Sequence, residues 1–246
     1  TVQDANGCTD EFSFEVEEGL SLAAGVDPVN PPTCNGDSDG SISISIQIAN
    51  PPVQFDFGNG LQSSNTLSGI PAGTYNVYVV DGQGCPGTFT IEVVDFPPLL
   101  LGINPLDISC FGENDGTISV APTGGAGNYT YAWSNGTNTA SIENLTAGNY
   151  SVTVTDENGC TDTADADVIE PAALSMTLEA LDVLCFGDET GVINVTASGG
   201  TPPFGYSANG TDFQASPSIT NLAAGDYDVV LTDDRGCTIT LPATIN

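Results

Sequence analysis

The sequence predicts an all-β fold, and three observations lead to this prediction. Apolar and polar residues alternate over short stretches such as SISISI, TISVAP, VINVTA and NYSVTVTD, as expected of strands that bury one face. Turn-forming pairs, namely Gly-Gly, Asn-Gly, Asp-Gly and Pro-Pro, separate these stretches. Three sequence landmarks also return in the same order along the chain, and no stretch of useful length has the periodicity of a helix.

The first landmark places a cysteine, a glycine and acidic residues directly before a strand. It reads CNGDSDGSISI from Cys34, CFGENDGTISV from Cys110 and CFGDETGVINV from Cys185, so that successive copies begin 76 and 75 residues apart. A period of this length suits a small independent β domain and is too long for one turn of a solenoid. We interpret the glycines and acids as the turn between strands A and B (the A–B turn), and Ile118 and Val120 of the second copy as core.

The second landmark is an aromatic alternation that ends in a glycine turn: FDFGNG, YTYAWSNG and FGYSANG. In the second copy Tyr129, Tyr131 and Trp133 alternate, so they share one face of a strand. We interpret this face as core, with Trp133 at the position of the strand C tryptophan of an immunoglobulin-like sandwich. The alternative is an exposed platform that binds sugar.

The third landmark reads A-G-x-Y, continues as an alternating strand and ends in D-x-x-G-C. Its cysteines follow the turn between strands F and G (the F–G turn), and they are Cys85, Cys160 and Cys237. Its tyrosines lie at the start of the penultimate strand, where immunoglobulin-like sandwiches have a tyrosine corner whose hydroxyl bonds to upstream backbone. They are Tyr75, Tyr150 and Tyr227. With about seven strands in each copy, the sequence predicts tandem immunoglobulin-like β-sandwich domains.

The landmarks divide the chain into three complete copies, which we call repeat 1 (residues 20–97), repeat 2 (98–171) and repeat 3 (172–246). Residues 1–19 are the closing hairpin of a preceding copy, because TVQDANGC, ending at Cys8, matches only the end of the third landmark. We therefore expect the sequence to be part of a longer protein. Pro97-Pro98 and Pro171 mark short joints, which predict a stiff linear rod.

The charge excludes several classes of function. The chain has 32 acidic residues and one basic residue, a net charge of −31, and neither Lys nor His. Such a charge repels nucleic acids and anionic lipid surfaces. The missing residues exclude Ser-His-Asp and Cys-His catalysis, Schiff-base lysines and histidine zinc sites. No apolar run approaches the ~20 residues of a membrane helix. We predict a protein that is not an enzyme and does not insert into a membrane in this segment.

The cysteines allow two pairing schemes. Pairing within a repeat would join Cys34 to Cys85, Cys110 to Cys160 and Cys185 to Cys237. However, strands B and F of such a sandwich run in the same direction, so cysteines before strand B and after strand F lie ~25 Å apart. A disulfide needs Cα atoms within about 7 Å.

Pairing between stacked repeats brings one A–B turn to the F–G turn of the next repeat. This scheme joins Cys34 to Cys160 and Cys110 to Cys237, leaving Cys8 and Cys85 for upstream units and Cys185 for a downstream unit. We favour it, with pairing within repeats, and free or otherwise paired thiols, as the alternatives.

The same stacking would bring acidic residues together at each joint. The candidates are Asp37, Asp39, Glu113 and Asp115 in A–B turns, and Asp156 and Asp233 in F–G turns. Converging carboxylates favour a hard cation, so Ca²⁺ at the joints is one hypothesis. The other is that these short acidic side chains bond to the backbone of their own turns.

The combined motifs C-x-G-x-x-D-G-x-I, GG-x-P-P-(Y/F) and L-x-A-G-x-Y-x-V-x-V-x-D-x-x-G-C resemble the SprB repeat family, whose domains are similar to PKD sandwiches. The resemblance covers essentially the whole chain, although repeat 1 has NPPV in place of GG-x-P-P-Y. It implies a very large cell-surface protein of gliding Bacteroidetes, exported by type IX secretion and acting in adhesion or as a filament. It carries no catalytic residues.

The partners that we expect are neighbouring repeats of the same chain, and surface polysaccharide or other copies of the filament. The location that we expect is extracellular, at the outer membrane. Two alternatives to a structural stalk remain open: a module that binds carbohydrate or another partner, and accessory domains of a secreted hydrolase.

Overall fold

The computed structural model describes residues 2–3, 5, 9–10 and 21–246, and within them all regular structure is β-strand. The chain divides into two compact units, Thr1–Pro98 and Leu99–Asn246. None of the described residues belongs to a helix that could cross a membrane. At the start of the chain, β1 (Val2–Gln3) pairs with β2 (Thr9–Asp10) in antiparallel register. The rest of the predicted closing hairpin, including Cys8, lies outside the described residues.

Repeat 1 lies in the first unit and forms two three-stranded antiparallel sheets. One sheet has the order β3–β4–β6, and the other has the order β5–β7–β8. These strands are β3 (Ala23–Val26), β4 (Gly40–Ile48), β5 (Gln54–Asp56), β6 (Thr66–Ile70), β7 (Gly73–Val80) and β8 (Pro86–Val93).

Repeats 2 and 3 lie in the second unit and have the same two sheets each. The strands of repeat 2 are β9 (Leu100–Leu106), β10 (Gly116–Thr123), β11 (Thr130–Trp133), β12 (Ser141–Leu145), β13 (Gly148–Thr155) and β14 (Thr161–Val168). Those of repeat 3 are β15 (Ser175–Leu181), β16 (Gly191–Ser198), β17 (Gly205–Ser207), β18 (Ser218–Leu222), β19 (Gly225–Thr232) and β20 (Thr238–Ile245). The sheets are β9–β10–β12 and β11–β13–β14 in repeat 2, and β15–β16–β18 and β17–β19–β20 in repeat 3.

This strand order, with A, B and E in one sheet and C, F and G in the other, is that of an immunoglobulin-like sandwich, so the predicted fold class is confirmed. Each repeat has six strands among the described residues, whereas the sequence predicted about seven. The seventh is reduced to single bridges, between Phe55 and Gln62 in repeat 1 and between Tyr206 and Gln214 in repeat 3. In repeat 1 the residues directly after strand C form a tight turn, because Oδ1 of Asp56 accepts hydrogen bonds from the N–H groups of Gly58 and Gly60.

Each repeat has its own hydrophobic core between its two sheets. In repeat 2, Ile118 and Val120 of strand B face Val152 and Val154 of strand F, and all four are buried. The alternation seen in the sequence therefore places one face of each strand inside, where burial of such a side chain stabilises the fold by about 1.5–3 kcal/mol.

The last glycine of the first landmark is required by packing. A Cβ at Gly116 would lie 2.6 Å from Cγ1 of Val168, and one at Gly191 would lie 2.8 Å from Cγ2 of Ile245. Strand B therefore starts where the end of strand G crosses it closely. Only a residue without a side chain fits there.

The tyrosine corner is present in all three repeats, as predicted. The hydroxyl groups donate to the carbonyl four residues earlier: Tyr75 to Pro71 at 2.8 Å, Tyr150 to Thr146 at 3.0 Å and Tyr227 to Ala223 at 2.8 Å. Each bond holds the start of strand F against the segment that links it to strand E.

We expect Tyr150→Phe to lower the free energy of unfolding of repeat 2 by about 1 kcal/mol, because it removes the hydroxyl that bonds to the carbonyl and the hydroxyl of Thr146 and keeps the ring. Urea unfolding followed by fluorescence of Trp133, the single tryptophan, measures this. Tyr131→Phe is the matched control, since no partner of its hydroxyl is found among the described residues. Equal unfolding midpoints for the two variants would show that the corner bond contributes nothing.

Candidate functional site

The acids of the A–B turns accept hydrogen bonds from their own turn. Oδ1 of Asp39 accepts the N–H of Thr33 at 2.8 Å, and Oδ1 of Asp115 accepts the N–H of Ser109 at 3.0 Å. Bonds from the Thr33 hydroxyl and N–H lower the pKa of Asp39, and bonds from Ser109 lower that of Asp115. In repeat 3 the hydroxyl of Thr190 has this role and accepts the N–H of Leu184 at 2.9 Å. A threonine can replace the acid because the role is that of a turn acceptor.

A second acid, which sequence reasoning missed, anchors the same turn from the far end of the repeat. Oδ2 of Asp95 accepts the N–H of Gly36 at 2.9 Å, and Oε1 of Glu170 accepts the N–H of Gly112 at 2.7 Å. The available signal was an acid two residues beyond the last core position of strand G in both repeats.

The acids that open the F–G turns are buried: Asp81, Asp156 and Asp233. Oδ1 of Asp156 accepts the N–H groups of Asn158 at 3.0 Å and Cys160 at 2.9 Å, and Oδ2 accepts that of Ala126 at 2.9 Å. Asp233 makes the same three bonds with its own neighbours. One carboxylate therefore shapes the F–G turn and ties it to the loop between strands B and C.

Repeat 1 keeps this arrangement although its sequence departs from the motif. Oδ2 of Asp81 accepts both the N–H and the side-chain amide of Asn50, at 3.1 and 2.9 Å. The Asn50 side-chain bond lowers the pKa of Asp81 to about 2, against the opposing effect of burial. Burial raises the pKa of Asp156 most, but its hydrogen bonds from backbone N–H groups outweigh burial and the pKa is lowered.

These shifts predict loss of stability in acid. Since the folded-state pKa of Asp81 lies below the ~3.9 of an unfolded chain, its ionised form stabilises the fold above pH ~4. That contribution is lost as the pH falls through about 2. We expect the urea midpoint of repeat 1, followed by circular dichroism, to fall over this range, and Asp81→Asn to flatten the fall. Glu92→Gln, at an exposed acid of the same repeat, is the control and should leave the profile unchanged.

Most of the candidate calcium ligands have a local role in their own turns. Asp37 and Glu113 are exposed, and the other four, Asp39, Asp115, Asp156 and Asp233, accept the hydrogen bonds described above. Among the described residues no three His, Cys, Asp or Glu side chains form a group that could hold a metal ion. Calcium at the joints stays a prediction.

The aromatic stripe of repeat 2 faces the core. Trp133 is 4% exposed, and its Nε1 donates to the carbonyl of Thr139 at 2.8 Å. Tyr129 and Tyr131 are half-buried and pack against the same core. The core interpretation matches these positions, and an exposed sugar platform does not.

Repeats 2 and 3 are joined by a disulfide between Cys110 and Cys237, with Sγ atoms 2.07 Å and Cα atoms 5.6 Å apart. This is one of the pairs that the stacking argument favoured. Pairing within repeats is wrong, because Cys110 is bonded to Cys237 while Cys85 and Cys185 are free. The physical reason is strand direction: because strands B and F run the same way, the two cysteines of one repeat lie at opposite ends of its sandwich.

The remaining cysteines are only partly accounted for. Cys34 and Cys160 are each disulfide-bonded. Their predicted pairing with each other stays a prediction, and Cys8 lies outside the described residues.

Arg235, the single basic residue of the chain, lies at the same junction. Its Nη1 donates to the carbonyl of Ile108 at 2.7 Å, so the F–G turn of repeat 3 is bonded to the A–B turn of repeat 2 beside the disulfide. A groove of about 410 Å³ lies at this junction, and its walls include Glu113 and Leu174. Sequence reasoning missed Arg235, although its solitary charge two residues before Cys237 was a signal.

Fold and junction together define a protein of tandem immunoglobulin-like repeats, in which an A–B turn is linked covalently to the F–G turn of the following repeat. A family model described as SprB repeat matches residues 26–61, 103–138 and 177–213. The chain therefore contains three SprB repeat matches, one in each repeat, as its motifs predicted. Such repeats indicate the repeat region of an adhesin-like, extracellular or surface protein. The comparison with curated proteins gives no match.

Solved structures with a similar arrangement of strands include eight N-terminal Ig domains of Down syndrome cell adhesion molecule, at 11% identity and a TM-score of 0.38. That match covers 92% of this chain and 36% of the other. Fibronectin(III)-like modules of Clostridium thermocellum CbhA match at 15% identity and a TM-score of 0.27, covering 60% of this chain and 94% of theirs. A C-terminal intimin fragment, in complex with the intimin-binding domain of its translocated receptor, matches at 15% identity and 0.31, covering 63% and 66%.

Proposed function

We propose that the chain is a non-catalytic structural stalk within a large adhesin or filament of the bacterial surface, of the kind exported by type IX secretion and used in gliding or attachment. The observation that carries the proposal is the covalent junction of Cys110 and Cys237, with the Arg235 bond beside it. A link of this kind transmits force from one repeat to the next without loading the strands between the two cysteines.

The recurring residues support a structural role, because each landmark has a task within the fold. The tyrosines bond the start of strand F to the preceding segment, and the buried aspartates accept the N–H groups of the F–G turn. The last glycine of the first landmark leaves room for the end of strand G to pack against strand B. What recurs from repeat to repeat is therefore accounted for by folding and linkage. The partners that we propose are neighbouring repeats and, outside this segment, polysaccharide or other copies at the outer membrane.

Stretching single molecules of the chain tests the proposal. With the disulfide intact, the 127-residue separation between Cys110 and Cys237 cannot extend. Reduction, which also breaks the bonds of Cys34 and Cys160, should therefore add at least about 430 Å of contour length at ~3.4 Å per residue. If oxidised and reduced chains extend to the same length, the junction bears no load and the stalk proposal fails. Saturable binding of a soluble surface polysaccharide by the chain would instead favour a binding module.

A further inference from the structure

Strand A of repeat 1 is shorter than its counterparts in the other repeats. It spans four residues, Ala23–Val26, whereas β9 and β15 span seven residues each. Prolines occupy positions 28, 31 and 32 of the segment that follows, and proline cannot donate to a strand ladder. Pairing with strand B therefore stops after Val26 and returns only as a single bridge between Asn30 and Ser41.

In repeats 2 and 3 the corresponding segment is bonded to the end of strand G. In repeat 2 the N–H of Ile169 donates to Oδ1 of Asp107 at 2.9 Å, and the carbonyl of Ile169 accepts the N–H of Ile108 at 3.1 Å. In repeat 3 Asn246 makes the same two bonds, at 2.8 and 3.1 Å. This edge of strand G is therefore closed in both repeats.

Repeat 1 lacks both bonds, because prolines stand at the two partner positions. Pro31 has no carboxylate to accept a hydrogen bond, and Pro32 has no N–H to donate one. Val94, at the position of Ile169, has an N–H and a carbonyl without hydrogen-bond partners in the part of the chain that the structure describes. Such a free pair of groups at the edge of a sheet can bind a further strand.

A groove of about 280 Å³, which we call the strand G groove, lies at this unpaired edge. All its lining residues belong to the first unit: Val29, Pro31, Glu92, Val94, Asp95 and Phe96. Val94 is 64% exposed, and one carboxylate oxygen of Asp95, Oδ1, is buried with no hydrogen-bond partner among the described residues. The groove therefore combines apolar walls and two carboxylates with a free backbone edge.

The equivalent position in repeat 2 shows that a following repeat leaves this side of the sandwich open. Ile169 is 61% exposed, although Cys110 of the same repeat is joined to Cys237 of repeat 3. The inference below uses only this side of strand G and does not rest on the stalk role.

We propose that the strand G groove of repeat 1 binds an extended peptide segment of a partner protein, with a Lys or Arg of that segment beside Glu92 and Asp95. One residue of the peptide donates its N–H to the carbonyl of Val94 and accepts the N–H of Val94, as in an antiparallel bridge. The basic side chain comes from outside this chain, whose one basic residue, Arg235, is bonded to Ile108. The net charge of −31 attracts such a partner.

Fluorescence anisotropy tests the proposal, with a labelled acetyl-Lys-Val-Lys-Val-Lys-amide peptide titrated with the whole chain. We expect saturable binding at one site per chain, because repeats 2 and 3 keep their closing bonds, and amide chemical-shift changes centred on Val94. Pro31→Asp introduces the residue that repeats 2 and 3 have and gives the Val94 N–H an internal acceptor. It should weaken binding at least about tenfold, although it adds a negative charge.

The matched control is Pro28→Asp, which adds the same charge to the same segment outside the groove and should leave the affinity unchanged. The same peptide with all its backbone nitrogens methylated keeps its charge but loses its donors, and should also bind at least about tenfold more weakly. This second comparison uses the unmodified chain, so it holds even if Pro31→Asp fails to fold.

Four outcomes would overturn the proposal: no saturable binding, equal affinity of Pro31→Asp and Pro28→Asp, equal affinity of the methylated peptide, or shifts that centre away from Val94. Sedimentation of the chain alone checks the other occupant. A concentration-dependent dimer that Pro31→Asp abolishes would place a second copy of this chain in the strand G groove, and would also overturn the assignment to a basic peptide.

Discussion

Replacing Cys110 and Cys237 together by serine will lower the free energy of unfolding of the second unit by about 3–5 kcal/mol. The disulfide closes a loop with a sequence separation of 127 residues, so it strongly restricts the unfolded chain. Its Cα–Cα distance of 5.6 Å lies within the usual range for native disulfides. The loss should appear as a lower urea midpoint, with fluorescence of the buried Trp133 as the probe of repeat 2.

The matched control for this experiment replaces the two free cysteines, Cys85 and Cys185, by serine. It removes the same number of thiols but no bond, so we expect a change within about 0.5 kcal/mol. Reduction of the unmodified chain also breaks the bonds of Cys34 and Cys160, so it should lower the midpoint at least as far as Cys110→Ser with Cys237→Ser. An unchanged midpoint for the double variant would mean that the junction does not stabilise the unit.

Sequence reasoning succeeded where a feature depends on strand direction or on local spacing. The Cys110–Cys237 bond followed from the fact that strands B and F run the same way, which separates the cysteines within a repeat. The bond of Tyr150 to Thr146 followed from a four-residue motif with a known place in this fold. Both arguments use only the order of elements along the chain.

The features that were missed depend on which surfaces meet in three dimensions. The Arg235 bond to Ile108 spans 127 residues of sequence, and the Glu170 bond to Gly112 spans 58. Spacing can single out Arg235 and Glu170 in the sequence, but it does not report which distant backbone groups they bind. For the same reason the acids of the turns were left with two hypotheses, calcium binding and bonding to their own turn. The sequence shows carboxylates near a turn but does not show from which N–H groups they accept hydrogen bonds.

Trp133→Ala will destabilise repeat 2 by about 3–5 kcal/mol, as expected for loss of a large buried side chain. Trp133 is 4% exposed, contacts the core shared by both sheets, and donates from Nε1 to the carbonyl of Thr139 at 2.8 Å. Its removal leaves a cavity and an unpaired carbonyl in the segment that follows strand C. Because each repeat has its own core, the effect should be confined largely to repeat 2.

Hydrogen exchange measured by mass spectrometry resolves this prediction, since the variant lacks the fluorophore. Peptides from β10 and β13 should lose protection by about two to three orders of magnitude, at 1.4 kcal/mol per factor of ten, while peptides from β19 in repeat 3 keep most of theirs. Phe213→Ala, at an aromatic residue of repeat 3 that is 45% exposed, is the control and should change protection little. Equal loss of protection in repeats 2 and 3 would show that the two cores unfold as one cooperative unit, coupled through Cys110–Cys237.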